Sequence, residues 1–185
     1  SGDAEGLTQR MRPFVYRKYL DFGAIASMRE LHAQVRREVL RRDLADNIKL
    51  GPGGIREIEF LAQVFQLIRG GKEAALQARP TRAVLELLGA RQLLPATTVS
   101  ELQTAYEFLR RLEHSLQYLD DAQPQTLPSN EADQALIAQA IGYAEWNAFL
   151  QELNQHRNAV DRHFQDIFAA SADIPDRASA WNLEG

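Results

Sequence analysis

The chain contains no cysteine, which excludes disulfides and thiolate metal centres and fits a reducing cytoplasm. It also lacks any apolar run approaching the roughly 20 residues that a membrane helix needs. Its first residues, Ser1-Gly2-Asp3-Ala4-Glu5-Gly6, lack the basic and apolar regions of a secretory signal, and they lack an initiator Met. A soluble, cytoplasmic piece of a longer polypeptide is expected. Net charge is also scarce: 21 basic residues against 25 acidic ones give −4. That balance offers no bulk attraction to nucleic acid or to an anionic membrane, so any polyanion site must be local. Finally, no segment alternates apolar and polar residues as a strand does.

What is present is a chain of 185 residues, 45% of them hydrophobic, long enough to bury a core. The spacing predicts an all-α bundle of five or six helices. Residues 1–12 read as a tail or the end of an upstream element, 13–171 as the helical bundle, and 172–185, with Pro175 and a lone Trp181, as a linker. Within the bundle, the aromatic-rich stretch from Pro13 to Gly23 reads as an anchored segment or as one helical turn leading into the next helix. Ile25, Met28, Leu31, Val35 and Val39 then keep helical spacing from about Ala24 to Arg42, with Arg29, Arg36, Arg37, Arg41 and Arg42 facing outward or toward a partner. After Pro80 a short helix runs through Val84, Leu87 and Leu88 and stops at Gly89. Thr98 and Glu101 have the spacing of a capping box, and they open a long helix over about 99–120. Ser129 or Asn130 caps a modest helix ending at Gly142, and Trp146 to Phe168 carry the seam of a second long helix over about 144–170.

The stretch from Lys49 to Arg69 organises the rest. Gly51-Pro52-Gly53-Gly54 cannot extend a helix and lets the backbone pass close to another group. A helix over about 55–69 follows, apolar over most of its circumference through Ile55, Ile58, Phe60, Ala62, Val64, Phe65 and Leu67, as a buried central helix would be. Arg56, Glu57 and Glu59 bring charges into its first turn, and such charges need partners or a solvent-lined cleft.

Two readings of this turn stand side by side. In one, free backbone N–H groups at the helix start, flanked by Lys49 and Arg56, cradle an anion. In the other, the glycines merely make a tight turn and Arg56 pairs with Glu59 or another acid. On spacing alone the second outweighs the first, because structural ion pairs also collect at helix ends. Glu57 and Glu59 point roughly 200° apart at 100° per residue, so they cannot chelate one ion together. One of them can orient Lys49 or Arg56 while the other faces the domain surface. His32, His114, His156 and His163 show no metal-ligand spacing and suit surface or interhelical roles. Arg110-Arg111-Leu112-Glu113-His114 reads as a solvated charge cluster or as further basic groups for a phosphate-handling cleft. No nucleophile constellation can be argued.

Asn47 to Phe60, followed by Gln63-Val64-Phe65-Gln66-Leu67-Ile68-Arg69-Gly70-Gly71, resembles the bifunctional glutamine synthetase adenylyltransferase/adenylyl-removing family. So do Arg17-Lys18-Tyr19-Leu20-Asp21-Phe22-Gly23, Phe108-Leu109-Arg110-Arg111-Leu112-Glu113 and Gln123-Pro124-Gln125-Thr126-Leu127-Pro128. The resemblance covers about Pro13 to Ala170 and points to the helical domain of the N-terminal half. In the family that half removes AMP from an adenylylated tyrosine of glutamine synthetase by phosphorolysis, yielding ADP. The other half attaches AMP from ATP.

The resemblance implies that Mg2+ is held by acids of an upstream nucleotidyltransferase domain, whose Gly-Ser motif and Asp-x-Asp pair are absent from this sequence. No catalytic or metal-binding residue is therefore expected within the chain. Lys49, Gly51, Gly53, Gly54 and Arg56 become candidates for a phosphate or nucleotide cleft, and Glu57 and Glu59 for orienting those cations or docking the catalytic domain. Glutamine synthetase, a PII signal protein and the upstream domain are the implied partners. The alternatives are a non-catalytic docking module for glutamine synthetase or PII, and the similar helical domain of the PII uridylyltransferase.

Overall fold

The computed structural model describes residues 22–77, 79–119 and 125–169. Expectations for the 1–12 tail, for Pro13 to Asp21, for Gln123-Pro124 and for the 172–185 linker lie outside these residues. The described residues form six α-helices and no strand: α1 (Phe22–Arg41), α2 (Ile55–Arg69), α3 (Thr81–Ala90), α4 (Ala96–Leu119), α5 (Glu131–Ile141) and α6 (Trp146–Ala169), with one 3-10 turn at Ala74–Leu76. None of them is long and apolar enough to cross a membrane.

Apolar periodicity builds the core. Ile55, Ile58, Leu61 and Phe65 of α2 are fully buried, as are Leu102, Leu109 and Leu112 of α4 and Phe149 and Val160 of α6. The long helices α4 and α6 pack along each other, and α2 touches α1, α3, α4 and α6. Helix α2 thus lies inside the bundle alongside α4 and α6. One part of its surface departs from the expected pattern: Leu67 is 68% exposed, so the side of α2 that carries Arg56, Gln63 and Leu67 faces outward.

Helix ends follow local chemistry where no tertiary partner competes. Asn130 caps α5 by accepting the Asp133 N–H at 2.8 Å, and Gly142 ends that helix in the left-handed region at φ 99°. The capping box at Thr98 and Glu101 does not form. Helix α4 begins at Ala96, after Pro95, whose carbonyl accepts the Val99 N–H at 3.0 Å. Glu101 instead reaches α6, where its carboxylate meets His163 and Arg162, each at 2.6 Å. Two charge-assisted contacts outweigh one local cap. Helix α3 likewise runs one residue past Gly89, whose missing side chain lets Val99 of α4 approach.

Candidate functional site

The site is built at the N-terminus of α2. Before that helix the chain folds back on itself. The Asn47 side-chain oxygen accepts the N–H groups of Lys49 and Leu50 at 3.0 and 2.9 Å, an arrangement that turns the backbone without help from a helix or sheet. Asn47 also bridges to Thr126, and Ile48 N–H donates to Gln125 at 2.8 Å, which ties this loop to the one after α4.

Arg157 of α6 fixes the turn from beneath. Its Nε donates to the Pro52 carbonyl at 2.9 Å and its Nη2 to the Ala45 carbonyl at 2.7 Å. Burial lowers the pKa of this guanidinium, opposed by the charges of Asp46 and Glu57. Gly53 lies at φ 69°, and a Cβ there would strike the Arg157 backbone; one at Gly51 would come within 2.6 Å of Asn47 O, and one at Gly54 within 2.7 Å of Ile48 O. The three glycines are thus demanded by close approach.

The backbone donors of this turn are all occupied. Gly53 N–H goes to Glu57 Oε2 at 3.0 Å, Gly54 N–H to Gly51 at 3.0 Å, Ile55 N–H to Ile48 at 3.2 Å and Arg56 N–H to Lys49 at 3.0 Å. Any anion recognition here falls to side chains.

Those side chains sort onto two flanks of α2. On the first flank Glu57, 4% exposed, accepts both arms of Arg36 from α1, at 2.7 and 3.0 Å, and lies 3.3 Å from His32 Nε2. Arg36 Nη2 also meets Asp161 of α6, and the guanidinium stands 5.9 Å from the Phe164 ring centre. Burial alone would raise the Glu57 pKa, but hydrogen bonds from His32 and Arg36, the Arg36 charge and the Gly53 N–H reverse that and hold it below the ordinary carboxylate range.

On the second flank Glu113 of α4, 2% exposed, accepts Lys49 Nζ at 3.3 Å and Gln125 Nε2 at 3.2 Å on Oε1, and Arg110 Nη1 on Oε2. Tyr106, two turns earlier on α4, has its pKa raised by burial and by the charge of Glu59, against a hydrogen bond with Thr81 and the charge of Arg110.

Between α1 and α2 lies a cleft of about 290 Å³, lined by Val35, Val39, Leu50 and Phe60 and rimmed by Arg36, Arg56, Glu57 and Glu59. Arg56 is exposed and forms no ion pair among the described residues. The geometry thus separates the candidates: Gly51, Gly53 and Gly54 are buried in the turn, Lys49 joins Glu113, Arg56 stands free, Glu57 turns to α1 and Glu59 lies half-buried on the cleft rim with Arg56.

Glu57 orients Arg36 rather than Lys49 or Arg56. Sequence reasoning missed Arg36, His32, Asp161 and Arg157 as partners of this turn and did not make Glu113 a hub. One signal was available, since Glu113 interrupts the apolar seam between Leu112 and Leu116. The acids here do not suit a divalent metal. Glu57, Glu113 and Glu101 are each turned to cations, and no three His, Asp or Glu side chains gather as ligands among the described residues.

Curated relatives match almost the whole chain. The bifunctional glutamine synthetase adenylyltransferase/adenylyl-removing enzyme of Chromobacterium violaceum is 62% identical over 168 residues, 91% of this chain and 19% of that protein. The enzyme of the same name from Aromatoleum aromaticum is 62% identical over 162 residues, 88% of this chain and 17% of the relative. That of Neisseria meningitidis is 46% identical over 176 residues, 95% and 20% respectively. The chain spans about a fifth of the length of these relatives. Residues 29–168 match the model of the family described as GlnD PII-uridylyltransferase, and with three quarters of its length inside that match the chain belongs to this family.

Proposed function

We propose that this chain is the helical domain of a nucleotidyltransferase, working against a neighbouring catalytic domain of the same polypeptide to remove AMP from adenylylated glutamine synthetase. One observation carries the reading: identity of 62% over 91% of the chain to an enzyme of that name. In the reaction an orthophosphate oxygen attacks the phosphorus of the adenylyl-tyrosine ester. The new P–O bond makes ADP, the bond to the tyrosine oxygen breaks, and the phenolate leaves and takes up a proton.

Mg2+ would supply charge neutralisation when bound, and its ligands would belong to the catalytic domain, since Glu57 and Glu113 beside the start of α2 are already turned to cations. The chain's own part is to present Arg56 and Lys49, near the start of α2, to the anionic groups of the reaction, where fixed cations stabilise developing charge. Glutamine synthetase is the substrate protein, a PII signal protein the regulator and the cytoplasm the compartment.

The family description favours one second reading, transfer of UMP from UTP to a PII protein. The test uses the complete enzyme. Release of ADP from adenylylated glutamine synthetase and orthophosphate, lowered at least tenfold by Arg56→Ala with the fold intact, supports the proposal. Uridylylation of PII without ADP release would move the assignment to the second reading.

A further inference from the structure

The Glu113 cluster has a feature that a purely structural ion pair lacks. Glu113 is almost completely buried, yet its two cationic partners are not: the Lys49 and Arg110 side chains are 28% and 39% exposed. They come from different places, Lys49 from the loop before α2 and Arg110 from one turn earlier on α4. One buried carboxylate thus holds two cations from below, with one carboxylate oxygen for each, while Gln125 fills the remaining position on Oε1. Two cations on one carboxylate leave a positive charge over.

A long lysine side chain loses rotamer entropy when it is fixed. A buried acid that fixes it in advance lowers the cost of ordering it on ligand binding.

We infer that Glu113 is a positioning residue: through Lys49 and Arg110 it sets a two-cation clamp for phosphate oxygens on the flank of α2 that faces α4. This deepens the proposed function and rests on it. The oxygens come either from attacking orthophosphate or from the adenylyl group on the protein substrate, and separate Michaelis constants distinguish the two.

The experiment measures phosphorolysis by the complete enzyme carrying Lys49→Met, Arg110→Met, Glu113→Gln or Lys49→Met with Glu113→Gln. The KM for orthophosphate should rise about tenfold in each of the first three, the scale of one lost charge-assisted contact, with kcat changed much less. A rise confined to the KM for adenylylated glutamine synthetase places the clamp on the adenylyl phosphate and still supports it. The double variant should fall short of the product of the Lys49→Met and Glu113→Gln effects, since Glu113 acts partly through that lysine.

A structural role alone would lower the melting temperature and leave both KM values in place. Unchanged KM values in Lys49→Met and Arg110→Met overturn the inference whether or not Glu113→Gln folds. Absence of phosphorolysis in the unmodified enzyme instead overturns the functional reading beneath it.

Discussion

Arg36 and Glu57, 21 positions apart, meet as two parallel hydrogen bonds, Nε to Oε1 at 2.7 Å and Nη2 to Oε2 at 3.0 Å. The pair joins α1 to α2, and through Asp161 the same guanidinium joins both to α6. Glu57→Gln keeps the shape but removes the charge, leaving Arg36 with only Asp161. Breaking a buried pair from one side costs about 3–5 kcal/mol, and the lower end applies because the Arg36 side chain is 25% exposed. Urea unfolding should therefore show a loss of about 3 kcal/mol. Glu59→Gln, which removes a half-buried acid without an ion pair, should stay within about 0.5 kcal/mol. Equal effects from the two substitutions would mean that no such clamp operates.

Acid should act on the same contact. Burial pushes the Glu57 and Glu101 carboxyls up, but hydrogen bonds and charge from His32 and Arg36, and from His163 and Arg162, hold both below their ordinary value. A carboxyl with a depressed folded pKa gives stability that is fully present above its unfolded pKa, about 4.3 for Glu, and that is lost as pH falls through the folded one. Unfolding free energy should thus be flat above about pH 5.5 from these two groups and decline below about pH 4.3. Glu57→Gln should make that decline shallower. Glu101, with its side chain 46% exposed, contributes less of it because solvent screens the pair. A curve of the same steepness in the Glu57→Gln chain would remove Glu57 from the account.

Much of the bundle was legible because it is local. Ile55, Ile58 and Phe65 mark the buried side of α2 by spacing, and Asn130 and Gly142 mark both ends of α5 by their own chemistry. The site was legible only in part. Glycines at 51, 53 and 54 announce a close approach, but nothing nearby in sequence says that the approaching group is the Arg157 backbone on α6. The 200° between Glu57 and Glu59 gives them different surroundings, Glu57 buried and Glu59 half-buried on the cleft rim, yet the Arg36 partner of Glu57 stands on α1, beyond any local pattern. Thr98 and Glu101 show the opposite failure, where a local signal was present and a tertiary contact with His163 overrode it.

Two glycines on either side of α2 separate backbone freedom from contact. Gly53 sits at φ 69°, where a side chain costs about 1–2 kcal/mol, and a Cβ there would also overlap the Arg157 carbonyl, a strain of about 1–3 kcal/mol. Gly53→Ala should therefore destabilise by about 3 kcal/mol and speed amide exchange at Ile55 and Arg56, whose N–H groups depend on the folded-back turn. Gly71 is exposed, has no positive φ and would bring its Cβ within 4 Å of nothing. Gly71→Ala removes only freedom of the unfolded chain, so it should leave stability unchanged or raise it by up to about 1 kcal/mol. Chain entropy acts on both substitutions alike, and only the first meets the α6 backbone. If Gly53→Ala matched Gly71→Ala in unfolding free energy and exchange, the turn could not be seated on Arg157, and the placement of Lys49 and Arg56 that depends on that seat would fall with it.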